Sequence, residues 1–142
     1  MAIADTNSIV RAYLVTCGTL TALIGGVTPR IYCPRLPENA TLPAISFFTR
    51  GGTSTPYIPR IPEPSVQFDC WATDAPPVSG SIIARQVYRA LYDALQGIQN
   101  VTVGANKILS AIEEVQGQDL VDELVPNYFR TLCFFSIVVR AG

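Results

Sequence analysis

The sequence predicts an α+β fold: a twisted, mainly antiparallel sheet with two main helices packed against it and an extended proline-rich loop. Three observations carry this reading. Apolar residues recur at helical spacing in two well-separated windows. Residues 65–73 alternate strictly between apolar and polar, the mark of a half-buried strand. Residues 128–140 are apolar on both faces, as in a strand central in its sheet or covered on both sides. With 142 residues the chain has the length of one domain, and 1–142 is read as one.

The elements follow in order. Thr6, Asn7 or Ser8 can cap a first helix. Ile9, Val10, Tyr13, Leu14 and Cys17 then form its apolar face, and Gly18 is placed as its breaker. Residues 19–24 make a second short turn stopped by Gly25 and Gly26. A short strand is expected at residues 30–33 and another at 44–50, with Ile45 and Phe47 on one face and Phe48 on the other.

Residues 51–64 hold Pro56, Pro59, Pro62 and Pro64, which forbid helix and regular ladder pairing. This segment reads as an arm that orders against a neighbouring subunit, with Arg50, Tyr57, Ile58, Arg60 and Ile61 as its contacts. A long hairpin connection is the plainer alternative. In the following strand Val66, Phe68, Cys70 and Ala72 face one way and Gln67, Asp69, Trp71 and Thr73 the other. Trp71 is therefore either covered by its own domain or an interface anchor.

The second main helix is expected over residues 81–95. Ile83, Val87, Leu91, Ala94 and Ile98 line its buried face; Arg85, Gln86, Arg89, Asp93 and Gln96 line its wet one. Residues 107–115 and 128–140 are the last two strands. Between them Glu113, Glu114, Asp119, Asp122 and Glu123 occur with no basic residue, and residues 113–123 read as a strand end plus a solvated connection.

Composition removes most chemistries. Histidine is absent, which excludes Ser-His-Asp and Cys-His nucleophile systems and His-ligated metals. No two of the four cysteines lie closer than sixteen positions, so no CxxC zinc or redox pair exists. Reduced, buried thiols are expected. Neither a phosphate loop nor GxGxxG occurs. Catalytic residues, cofactors and metals are all read as none. Net charge is -1, which gives no electrostatic footprint for nucleic acid or an anionic membrane. Only 15% of residues are charged, below the usual quarter, so apolar surface is left over for partners. Nine of the ten basic residues are arginine, which suits interfaces as well as it suits codon bias. The start MAIADTNS has no signal-peptide character and no run is long enough to span a bilayer, so a cytoplasmic site of synthesis is expected.

The order of elements carries a resemblance. SIVRAYL, then TLTALIGG, then RIYCPRLPENATLPAISF, a proline-rich gap, VQFDCWAT, the helix IIARQVYRALYDAL and a final strand beginning YFRTLCFFSIVV together resemble the tail completion (tail terminator) family of long-tailed bacteriophages. Arg30-Ile31-Tyr32 with the Leu36-Pro37, Ala40 and Leu42-Pro43 loop, and the strand Phe68-Asp69-Cys70-Trp71-Ala72, carry it most closely. The resemblance implies a structural virion protein that forms a hexameric ring. Such a ring caps the tail tube, receives the head-completion protein and lets DNA pass without reading it. It also implies a place in the virion tail or neck, and no catalytic residues. The acidic residues Glu113 to Glu123 are then expected to face the lumen or an axial partner. Alternative readings are a head-closure protein, a tube subunit, or a cytoplasmic small-ligand-binding domain using the sheet near Trp71.

Overall fold

Helix α1 (Thr6–Leu14) and helix α2 (Gly18–Leu23) open the computed structural model, which describes residues 5–53, 57, 61–121 and 128–141. Strands β1 (Ile31–Tyr32), β2 (Ala44–Thr53) and β3 (Glu63–Thr73) follow, then helix α3 (Gly80–Leu95), then β4 (Gln99–Val103), β5 (Asn106–Val121) and β6 (Tyr128–Arg140). The strands form one curled sheet in the order β1-β2-β3-β6-β5-β4. The β1–β2 pair is parallel and the other four pairs are antiparallel. The fold is therefore α+β with a mainly antiparallel sheet, as the sequence predicts.

Local chemistry fixes the helix ends. Asp5, one residue ahead of the expected caps, accepts from the Ser8 amide at 3.4 Å. Its carboxylate suits the positive end of a helix. Gly18 begins α2 rather than breaking α1, and Gly26, with φ +64°, closes α2 through its amide on the Thr21 carbonyl at 2.7 Å. The Ser79 side chain and Asp74 both serve the start of α3, Asp74 accepting from the Gly80 amide at 2.7 Å.

The helices cover one face of the sheet. Val66, Phe68, Cys70, Cys133, Phe135, Ile137 and Val139 point into that layer and are buried. Phe68 is its centre, stacked on Phe47 at 5.6 Å and edge-on to Phe135 at 5.8 Å. The buried side of α3 is Gly80, Ala84, Val87, Tyr88, Ala90, Leu91 and Leu95. That stripe is rotated from the expected one: Ile83 and Ala94 are only half-buried. The rotation brings Tyr88 inside, where its hydroxyl finds Glu113. Two of the four thiols, Cys70 and Cys133, are buried as expected; Cys17 is half-buried and Cys33 is exposed.

Two further corrections concern residues 99–121. Residues 99–103, not expected as a strand, form β4, hairpinned to β5 through Gly104 with φ +57°. The stretch from Glu113 to Val121 is strand rather than a solvated connection. Its alternation is hidden by register shifts at Ile108/Ser110, Glu113/Val115 and Val115/Gln118. Each shift moves the next residue to the other face, so a period of two never develops.

Gly117 lies in the last of these irregularities, where β5 runs against α3. Its amide donates to Tyr88 Oη at 3.1 Å and its carbonyl accepts from Arg85 at 3.1 Å. A Cβ there would stand 2.8 Å from the Tyr88 ring, Thr131 Cγ2 and Arg85 Nη1. Gly117→Ala is expected to cost about 1–3 kcal/mol by overpacking. The urea midpoint reads this directly, and an unchanged midpoint would mean that the strand yields freely.

Candidate interaction surface

The face of the sheet turned away from the helices is the unusual one. Cross-strand register builds it row by row. Ala44, Trp71, Arg130 and Leu120 form one row across β2, β3, β6 and β5. Ser46, Asp69, Leu132 and Gln118 form the next, and Phe48, Gln67, Phe134 and Val115 the third. Ser65, Ser136 and Ile112 continue it, then Val138 with Ser110, then Arg140 with Lys107. None of the described helices packs on this side. Leu132, Phe134 and Val138 are half-buried, while Ile112 and Val115 are exposed at 56% and 38%. A solvated sheet face is ordinarily polar; this one mixes polar residues with an apolar strip of Leu132, Phe134, Val138, Ile112 and Val115.

Polar groups on the same face are wired to one another. Arg50 donates to Gln67 at 3.3 Å, Gln67 donates to Asp69 at 3.1 Å, and Arg130 donates to Asp69 at 3.3 Å. Arg50 lies 5.2 Å over the Phe134 ring and Arg130 5.2 Å over the Trp71 ring. The Trp71 indole also donates to Ser46 at 2.9 Å and meets Tyr128 edge-on. Trp71 is thus held by its own chain on three sides. Burial raises the Asp69 carboxyl above its ordinary range, against the lowering pull of Gln67 and Arg130. Aromatic rings capped by arginine over an apolar floor, with charge at the margin, match the composition of protein interfaces.

The sequence-predicted residues divide as follows. Arg50 stands at the rim of this face, on β2. Ile61 is half-buried just ahead of β3, and Tyr57 is exposed at 91%. Ile58 and Arg60 lie outside the described residues, as do Asp122 and Glu123. The remaining acids do not share a surface. Glu113 and Asp119 face the helix layer: Glu113 accepts from Tyr88 at 2.6 Å, and Asp119 accepts from Thr131 at 3.2 Å with Arg85 at 3.7 Å. Glu114 faces the other way and accepts from Ser65 at 2.7 Å. Burial and the Glu113 contact push the Tyr88 phenol up to about 12. Sequence reasoning placed Asp69 on this face beside Gln67 and Trp71 but missed Arg130 as its partner.

Clefts also lie on the helix side. One of about 370 Å³ is lined by Thr19, Leu23, Gln86, Arg89, Ala90 and Asp93, one of about 220 Å³ by Tyr88, Arg89, Tyr92, Asp93 and Gln116, and one of about 210 Å³ by Cys17, Thr19, Leu20, Ala90, Asp93 and Ala94. Among the described residues no group of three or more Cys, Asp or Glu is placed to hold a metal ion. Burial raises the Cys70 and Cys133 thiols, which keeps them protonated and unreactive. No helix of the described residues is long and apolar enough to cross a membrane. Compared with known proteins, the chain matches no family model and no curated protein sequence.

Proposed function

We propose that this chain is a structural subunit that assembles into a ring, most like the hexameric terminator ring of a long-tailed phage, which ends the tail tube and receives the head-completion protein. One observation carries the reading: β6 is central in the sheet and apolar on both sides, yet among the described residues only one side is covered by helices. Covering that apolar strip is a driving force for association. The resemblance in element order supplies the kind of assembly. Near-zero net charge suits a channel through which DNA slides without being gripped. A six-fold ring uses heterologous contacts, one patch of a copy meeting a different patch of the next, and the segment around residues 54–62 is the proposed second patch.

The test is imaging and mass measurement. The purified chain mixed with its tube protein should give closed rings of six copies, and labelled copies should sit at the head end of the tail. A chain that stays monomeric at high concentration and is absent from the particle overturns the proposal. A position along the tube or at the head portal would assign it to another tail or neck part. Replacing residues 54–62 by a Gly/Ser linker should leave a folded chain that forms rings poorly. Normal rings from that variant would remove the arm from the assembly.

A further inference from the structure

At one corner of the uncovered face two cations stand side by side without a counter-charge. Lys107, near the start of β5, and Arg140, at the end of β6, are direct cross-strand partners. Like charges in that position disfavour the strand pair unless something else offsets them. Among the described residues nothing does. The two ion pairs there join Arg85 to Asp119 and Arg130 to Asp69. The other acids of the face are turned elsewhere: Glu63 accepts from Ser136 and Glu114 from Ser65. Arg140 Nε is moreover shut from water with no acceptor, the one buried side-chain nitrogen or oxygen so placed among the described residues.

A guanidinium partly stripped of water, with a second cation beside it, gains more from an anion than a hydrated one does. The surroundings select the kind of anion. Val138 is the next residue inward on this side of β6, and Phe134 with Val115 and the exposed Ile112 beside Ser136 continue the apolar strip. A nucleic-acid phosphate would meet the cations and leave that strip wet, and a net charge of -1 offers it no wider footprint. We propose that this corner receives a carboxylate of another protein, an Asp or Glu whose neighbours in its own segment are apolar and lie along Val138, Phe134 and Val115. The planar guanidinium of Arg140 can take both carboxylate oxygens, and Lys107 adds a point charge from the adjoining strand. A partner of this chemistry deepens the assembly reading of the face and rests on it.

Lys107 is the only lysine of the chain, so its amine reads the contact by itself. The probe is a water-soluble carbodiimide, which condenses an amine with a touching carboxylate into an amide while one carboxylate oxygen leaves on the carbodiimide as a urea. Applied to intact particles and to cells making the chain, and mapped by mass spectrometry, it should join Lys107 to an Asp or Glu of a different protein, flanked there by apolar residues. Lys107→Arg keeps the charge but cannot couple, so the product should vanish while the copies still assemble. Arg140→Gln should lower the yield about tenfold. It should also leave the urea midpoint of the free chain unchanged, because Arg140 has no partner among the described residues to lose. No product, a product with carboxylates of this chain alone, full yield from Arg140→Gln, or a clear fall in its midpoint each overturns the proposal. An amine shielded by DNA, and made reactive by nuclease, overturns it in favour of phosphate. A chain seated in particles without the product leaves the ring reading standing and removes this one. The product formed in cells by a chain absent from particles does the reverse.

Discussion

Replacing Phe68 with alanine is expected to lower the free energy of unfolding by about 3–5 kcal/mol, the range for removing a buried aromatic ring. Phe68 is completely buried and lies between two other rings, stacked on Phe47 and edge-on to Phe135. Its loss removes both ring contacts, worth about 0.5–1.5 kcal/mol each beyond area, and leaves a void in the middle of the core. Neighbouring strands hold Phe47 and Phe135 by ladder hydrogen bonds, so neither can slide in to fill it. A domain stable by about 5–15 kcal/mol keeps little margin after such a loss. Urea unfolding should show a much lower midpoint at an unchanged slope. Phe134→Ala, on the uncovered face, is the comparison: its ring is half-buried and should cost well under half as much. Equal costs at the two positions would mean that the face is as well covered as the core.

How legible all of this was in the sequence depended on periodicity. The strand through Val66, Phe68, Cys70 and Ala72 announced itself because it is regular and half-buried along its length, and all four residues are fully buried in the structure. The central place of β6 was legible for the opposite reason, since its apolar residues fall on both faces. β5 was not legible beyond its first half. Three register shifts break its period, and Gly117 and the acids look like a loop until the helix partners Tyr88, Arg85 and Gln96 are placed beside them. Acids clustered along the chain do not cluster in space, because strand geometry sends Glu113 and Glu114 to opposite faces. The interaction face depends on register between strands remote in sequence. The meeting of Arg130 with Asp69 spans sixty-one positions, and no local pattern encodes it.

That contact supports the second large expected effect. Arg130→Ala leaves Asp69, whose side chain is 6% exposed, with Gln67 alone among the described residues to meet its charge. Removing one partner of a fully buried pair costs about 3–5 kcal/mol. Here about 2 kcal/mol is expected at neutral pH, because Arg130 is itself 34% exposed and partly screened. The pH dependence identifies the cause. Burial already raises the folded Asp69 carboxyl, so the native state binds its proton more tightly than the unfolded chain does. Stability from this group therefore falls as pH rises from the ordinary carboxylate range toward neutrality. Arg130 is one of the influences that lower the carboxyl, so its removal raises it further and steepens the fall. The deficit of Arg130→Ala should accordingly shrink as the pH is lowered toward ~4. With Asp69→Asn in the background, Arg130→Ala should cost much less and lose its pH dependence, since no buried charge is left to strand. Denaturation of the four chains at both pH values completes the cycle. A cost that stays constant with pH and persists in the Asp69→Asn background would assign the role of Arg130 to its packing on Trp71 instead.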